Sequence, residues 1–244
     1  MPVAITYNRA TLAVMLATPA DLDDFAVGFS LTEGIVRRPD EIQDIELVRV
    51  QQAIELRMWL GAEAAAEAER RRRRLVGPGG CGLCGIESLD DALRPPRQVA
   101  ASTCFAATEI SDAMAALPDA QRLNQATHAV HAAAFWTRSA GVVAVREDVG
   151  RHNALDKLAG ALARRGISAA EGLVLLSSRL SVELVQKAAM IGAPVLVAVS
   201  APTALAVRVA EAAGITLIGV ARADGFELFT HAERIAMEPV PDVA

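Results

Sequence analysis

The chain has 244 residues, 52% of them apolar and 22% charged, with a formal net charge of −5. That length holds one large domain or two small ones around a sizeable core, and the acidic balance argues against a general binder of nucleic acid or anionic membrane. No apolar run approaches the roughly 20 residues of a membrane span and the first residues lack a basic, then apolar, leader pattern, so a cytoplasmic location is expected.

Residues 5–17 read as two short strands turning at Asn8 and Arg9. Thr18, Pro19, Ala20 and Asp21 then open a helix, with proline in its first turn and Asp21, Asp23 and Asp24 near its positive end. Leu22, Phe25, Ala26, Phe29 and Ile35 give it an apolar stripe, and Gly34 supplies a stop. Residues 42–60 alternate weakly, as a hairpin does. Residues 62–74 predict a helix with Glu63, Glu67 and Glu69 first and five arginines (70–74) last, the order a helix dipole favours. The next nine residues of interest, GPGGCGLCG at 77–85, contain five glycines and one proline and predict a flexible loop bearing Cys81 and Cys84. Arg94, Pro95, Pro96 and Arg97 mark a joint. A smaller α+β unit is therefore expected over residues 1–97 and a second unit over 98–244.

The second unit has a different grammar. It reads as a helix at 109–117, a hairpin of strands at 130–135 and 141–146, and a helix at 153–165. A strand at 173–177, a helix at 181–191, a strand at 195–199, a helix at 203–213 and a strand at 215–220 follow. Such β-α-β-α-β alternation, with right-handed crossovers, predicts an α/β fold with a mostly parallel sheet and packed helices.

Ligands of open α/β sheets bind beyond the carboxyl ends of the strands. Three loops should open there together: Ser177, Ser178 and Arg179; Ser200, Ala201, Pro202 and Thr203; and Ala221, Arg222, Ala223, Asp224 and Gly225. Ser181 and Thr203 stand near helix starts, where free N–H groups favour phosphate, and Arg179 and Arg222 add positive charge. Simple helix capping explains the Ser and Thr equally well. There is no Walker A sequence and no GxGxxG, so nucleotide hydrolysis and dinucleotide redox chemistry are not indicated. The segment EDVGRHN at 147–153 is dense in chemistry. Asp148, Arg151 and His152 are candidates for ligand contact or acid–base work, with Asn153 as cap of the next helix, and a salt-bridged helix start is the bland alternative. Glu183 and Lys187, four apart, suit an ordinary helical ion pair.

Three cysteines, Cys81, Cys84 and Cys104, do not make a disulfide framework. The CxxC pair has four readings from its residues alone: half of a zinc site, which lacks an evident second half; a redox dithiol; a sulfur carrier that must visit a donor and an acceptor; or an inert pair. The neighbouring arginines would favour a thiolate, although a solvated helix end explains them too, and no aromatics interleave with them to stack bases. Only two of the 24 basic residues are lysine, Lys157 and Lys187. Heavy alanine and arginine usage is what a biased genome composition produces, and the two surviving lysines stand out against it.

Taken together, these blocks resemble the FdhD/NarQ family of formate dehydrogenase accessory sulfurtransferases. The matching stretches are ATPADL and FAVGFSLTEGI near the start, GCGLCG around the cysteines, HAAA from His131, EDVGRHNALDK from residue 147, SSR with ELVQKAAM, and VAVSAPTALA from residue 197. They occur in the family's order between about residues 3 and 231. The resemblance implies that Cys81 carries a persulfide received from a cysteine desulfurase, with Cys84 sharing or relaying the sulfur. It implies an acceptor, the bis(molybdopterin guanine dinucleotide) molybdenum cofactor, bound as cargo by a protein with no cofactor or metal of its own. The binding edge would comprise Val220, Ala221, Arg222, Ala223, Asp224 and Gly225 with His131, Asp148, Arg151, His152, Ser178, Arg179, Ser200 and Thr203. The order of basic and glycine residues at 220–225 departs from the family's pattern, which leaves contacts there mainly to backbone. The resemblance further implies a cytidine deaminase-like second domain, a homodimer, and the formate dehydrogenase catalytic subunit as a partner, with neither membrane nor nucleic acid. A zinc deaminase is disfavoured because Ala132 and Ala133 follow His131 where an H-x-E acid is needed. A non-catalytic cofactor chaperone is the alternative.

Overall fold

The computed structural model describes residues 1–72, 96–100, 103–222 and 224–236. Cys81, Cys84, Arg73, Arg74 and Ala223 lie outside the described residues, as does the expected glycine-rich loop. Among the described residues no helix is long and apolar enough to cross a membrane.

The first unit is a four-stranded sheet in the order β2-β1-β4-β3. Strands β1 (Pro2–Tyr7) and β2 (Ala10–Leu16) form the expected hairpin. Asn8 and Arg9 both take positive φ, 45° and 71°, the handedness that matches a two-residue turn to the strand twist. Strands β3 (Ile42–Val50) and β4 (Ala53–Leu60) form the second hairpin, and β4 pairs parallel with β1. Strict alternation along β4 buries Ile54, Leu56, Met58 and Leu60. Helices α1 (Leu22–Thr32) and α2 (Ala62–Arg72) cover that apolar side, where Val3, Ile5, Phe25, Phe29, Leu56 and Ala68 share one core. The expected start of α1 needs correction. Asp21 is the N-cap in a left-handed conformation, so Pro19 precedes the helix rather than entering its first turn. Gly34, at φ 69°, ends α1 as expected.

The second unit is a six-stranded sheet in the order β11-β10-β9-β8-β6-β7. It comprises β6 (His131–Thr137), β7 (Gly141–Asp148), β8 (Leu173–Leu176), β9 (Val195–Ala198), β10 (Thr216–Arg222) and β11 (Gly225–Thr230). Helices α5 (Arg151–Arg164), α6 (Val182–Met190) and α7 (Ala204–Ala213) cover one face, and α3 (Ala107–Ala120) the other. A short α4 (Arg122–Thr127) follows α3, and β5 (Phe105–Ala106) pairs with β12 (Ile235–Ala236). The mostly parallel sheet is corrected to a mixed one. Only β8, β9 and β10 run parallel; β6 is antiparallel to both β7 and β8, and β11 to β10. Short hairpin links force this, since a parallel return needs a crossover.

The units meet where α1 crosses α5. A Cβ on Gly28 would lie 1.6 Å from the Asp156 carbonyl oxygen, and one on Gly160 would lie 1.9 Å from that of Asp24. The helices therefore touch backbone to backbone. Ion pairs flank the crossing. Asp24 takes Arg146 at 2.6 Å and Arg164 at 2.7 Å. On one side Lys157, wholly buried, reaches Asp148 at 2.6 Å and donates to the Thr18 carbonyl at 2.9 Å. On the other Lys187 reaches Asp156 and Glu33, each at 2.8 Å. The expected Glu183–Lys187 pair does not form, because Lys187 turns into this interface, where burial demands stronger partners than a helical neighbour.

Candidate functional site

Because β6 runs antiparallel to β8, its first residue, His131, lies at the edge where β8 ends. Ala133 pairs with Leu176, and the Ala132 N–H donates to the Ser177 hydroxyl at 2.8 Å. His131 stands opposite Asp148 across the β6–β7 ladder, so α5 also starts at this edge. The departure from a parallel sheet thus brings His131, Arg151 and His152 to the loops that follow β8, β9 and β10. Those loops touch one another: Leu180 bridges Pro202, the Thr203 N–H donates to the Leu180 carbonyl at 3.0 Å, and that of Val220 donates to the Ser200 carbonyl at 3.4 Å.

Two helix N-termini face this edge. At α5, Gly150 is the N-cap, which corrects Asn153 from cap to first-turn residue. Its amide instead donates to the Leu16 carbonyl and to Asp148, each at 2.9 Å. Asp148 is fully buried; beyond Lys157 it accepts from the Gly150 and Thr18 N–H groups, each at 2.8 Å. Its carboxylate thereby fixes the turn that launches α5. At α6, Ser181 is the N-cap but its hydroxyl makes no capping bond; it lies 3.5 Å from His152 Nε2. Glu183 Oε2 stands 3.8 Å from the same nitrogen. Sequence reasoning missed Glu183 as a site residue, because an i,i+4 lysine supplied it with a ready partner. Burial pushes the Glu183 carboxyl up, but the His152 and Ser181 side chains more than offset this and hold it below the usual range.

The edge is cationic. Burial pushes the His131 imidazole below its usual pKa, and the charges of Arg151, Arg179 and His152 push it further. Arg151 Nε is buried with no hydrogen-bond partner. A cationic edge with an orphaned guanidinium N–H and two helix starts is what an anion such as a phosphate requires. An anion here should raise the His131 pKa, so binding takes up a proton. Affinity for inorganic pyrophosphate should strengthen as pH falls through the bound-state pKa and level off below the free-state one. NMR titration of His131 with and without pyrophosphate tests this, and an unchanged titration would place the anion elsewhere.

The remaining expected residues divide. Ser178 is buried and donates to the Arg179 carbonyl at 3.1 Å, while Arg179 is exposed. Ser200 is half-buried at the loop after β9. Thr203 caps α7, accepting from the Ala206 N–H at 3.2 Å. The expected loop at 220–225 is corrected to a hairpin tip: Val220, Ala221 and Arg222 belong to β10, and Arg222 pairs with Gly225. A bulge between Gly219 and Arg222 places β-branched Val220 at φ 52°, a strained conformation that tends to mark functional sites. Ala221 is buried, whereas Arg222, Asp224 and Gly225 are exposed.

The FdhD/NarQ family profile matches residues 1–236. The sulfur carrier protein FdhD of Agrobacterium fabrum is 54% identical over 239 residues, which span 97% of this chain and 88% of that protein. The protein of the same name from Cupriavidus necator is 52% identical over 239 residues, spanning 98% and 83%. A crystal structure from Desulfotalea psychrophila, provisionally described as a formate dehydrogenase accessory protein, has a TM-score of 0.76 at 26% identity, covering 97% of this chain and 89% of its own.

Proposed function

The chain belongs to the FdhD/NarQ family, and from that premise we propose that it is a cytoplasmic sulfurtransferase that carries sulfur to a molybdenum cofactor. The Cys81 thiolate attacks the outer sulfur of a cysteine desulfurase persulfide, takes that sulfur, and leaves the desulfurase as a thiolate. Thiolate–persulfide exchange of this kind needs no added oxidant or reductant. The Cys84 thiolate then attacks the inner sulfur of the Cys81 persulfide. The outer sulfur departs as hydrosulfide, the electrons come from Cys84, and a Cys81–Cys84 disulfide remains for a cellular dithiol to reduce. The hydrosulfide goes to bis(molybdopterin guanine dinucleotide) molybdenum cofactor, held as cargo before it enters the formate dehydrogenase catalytic subunit.

One observation carries the cargo half of this reading: His131, Arg151, His152 and Arg179 converge on the helix starts of α5 and α6. Dinucleotide phosphates fit there, with Arg222, Asp224 and the backbone of Val220, Ala221, Ala223 and Gly225 from the β10–β11 tip, and Ser178, Ser200 and Thr203 lining the loops. Asp148 holds the α5 start in place. We read the helix-flanked mixed sheet as a cytidine deaminase-like domain over residues 98–244, the first 97 residues as the cysteine-bearing domain, and the working form as a homodimer.

The test is intact-mass analysis after incubation with an active cysteine desulfurase and cysteine. Wild type should gain one reductant-labile sulfur, Cys84→Ala should gain it too, and Cys81→Ala should gain none. No added sulfur on any variant would sink the transferase reading and leave a cofactor chaperone.

A further inference from the structure

Both ends of the cysteine-bearing stretch 73–95 are tied to the same place. On the N-terminal side, Arg71 in the last turn of α2 grips Glu33 Oε2 through Nη2 at 2.6 Å and Nε at 3.2 Å. The other oxygen of Glu33 receives the Lys187 ammonium at 2.8 Å. Lys187 also donates to Asp156 at 2.8 and 3.0 Å and to the Thr32 hydroxyl at 3.1 Å. On the C-terminal side, Arg97 Nη1 donates to the Met190 carbonyl at 3.1 Å. Lys187 and Met190 are one turn apart at the C-terminal end of α6, whose N-terminal end carries Ser181 and Glu183.

An ordinary surface pair would not be built this way. Glu33 is largely buried and bridges two cations, which hold its carboxyl at about 2 although burial alone would raise it. Its two oxygens face different parts of the molecule: one the end of α2, the other a helix of the second unit. Helix α6 is nine residues long, about 13 Å from end to end. Cys81 follows Arg72 by nine residues, so the chain lets it reach at most about 30 Å from that root. The anchorage therefore sets the centre of the region that the thiol can visit, and the anion edge falls within that reach.

We propose that Arg71, Glu33 and Arg97 are positioning residues for sulfur delivery, fixing both roots of the cysteine-bearing stretch on α6 at a set distance from the anion edge. The proposal rests on the reading that Cys81 carries the sulfur. Loading by a desulfurase is bimolecular, with a partner that approaches the thiol wherever it stands. Delivery requires Cys81 to meet cargo bound at one fixed edge of its own protein. Releasing the roots should therefore leave loading intact and slow delivery.

The experiment uses the full chain as wild type, Arg71→Ala, Arg71→Lys and the double variant Arg71→Ala/Arg97→Ala. Three quantities are read: melting temperature, sulfur loading by mass, and the rate at which preloaded protein activates formate dehydrogenase in the presence of its unsulfurated cofactor. Arg71 and Arg97 lie at the surface side of their contacts, and the buried Lys187–Asp156 pair survives in every variant, so the fold is kept. Arg71→Ala should load as wild type and deliver about tenfold more slowly, with the double variant slower still, toward a hundredfold. Excess protein should not restore the rate, since the defect lies within the loaded complex, and Arg71→Lys, which keeps a charge for Glu33, should recover part of it. Equal delivery by wild type and the double variant would overturn the proposal. So would equal losses of loading and delivery, which would assign the joint to folding alone. Failure of the sulfur-carrier reading shows separately, as wild type that takes up no sulfur.

Discussion

Gly160→Ala should destabilise the chain by about 3 kcal/mol or prevent folding, the reverse of what the same change does in most helices. In an isolated helix interior the change gains roughly 1 kcal/mol, because alanine loses less backbone freedom than glycine. Here the added methyl would sit 1.9 Å from the Asp24 carbonyl oxygen and 2.7 Å from its carbon. Both are backbone atoms of a helix, so neither can turn aside as a side chain does. Helices α1 and α5 would have to separate, loosening the Asp24–Arg146 and Lys157–Asp148 contacts together, and overpacking of this kind costs about 1–3 kcal/mol even where side chains can adjust. Gly28→Ala, opposite the Asp156 carbonyl, should behave alike. Denaturant melts decide the sign: a stabilised Gly160→Ala would mean that the two helices lie farther apart than described.

The second large effect is expected at Lys157. Lys157→Met removes one charge from a site with no solvent and leaves Asp148 ionised among three N–H donors, Thr18, Gly150 and Asn153. Breaking one half of a buried pair costs about 3–5 kcal/mol. Asp148→Asn in the same chain removes the stranded charge, so the double variant should be more stable than Lys157→Met alone, and the cycle measures the coupling. Lys157→Arg should also fail. The ammonium is compact and sits 5.8 Å over the Phe25 ring with 2.6 and 2.9 Å contacts on its other sides, which leaves no room for a planar fork. A Lys157→Arg chain as stable as wild type would remove the steric part of this account.

The same pocket explains a feature of composition. Arginine fills every other basic position, yet lysine persists at the two places where a small cation is buried between units. Much else was legible as well. The Asn8–Arg9 turn, the stop at Gly34 and the helix–strand alternation after residue 150 depend on neighbouring residues, and local patterns report neighbours. Contacts between distant segments escaped: Lys187 pairs with Glu33 across 154 residues rather than with Glu183 on its own helix. Gly28 and Gly160 carried no signal alone, since the reason for each is the other. Strand β11 was lost because Val220 takes a conformation that strand patterns do not anticipate, and the hairpin tip passed for a loop. The site was legible as a set of loops; that His131 and His152 join it depended on the direction of β6, which its sequence does not state.

Both lysine ε-amines are buried, Lys157 against α1's approach and Lys187 beneath it. An amine-directed acylating reagent therefore meets neither of them in the folded chain, while 22 arginines leave the surface fully charged. Acylation at these two positions becomes a clock for separation of the two units, since each amine is released only when α1 lifts. If they react together and only at the rate of global unfolding, the two sheets open as one cooperative body, and all movement needed to carry a thiol from donor to cargo resides in the chain between Arg72 and Pro96.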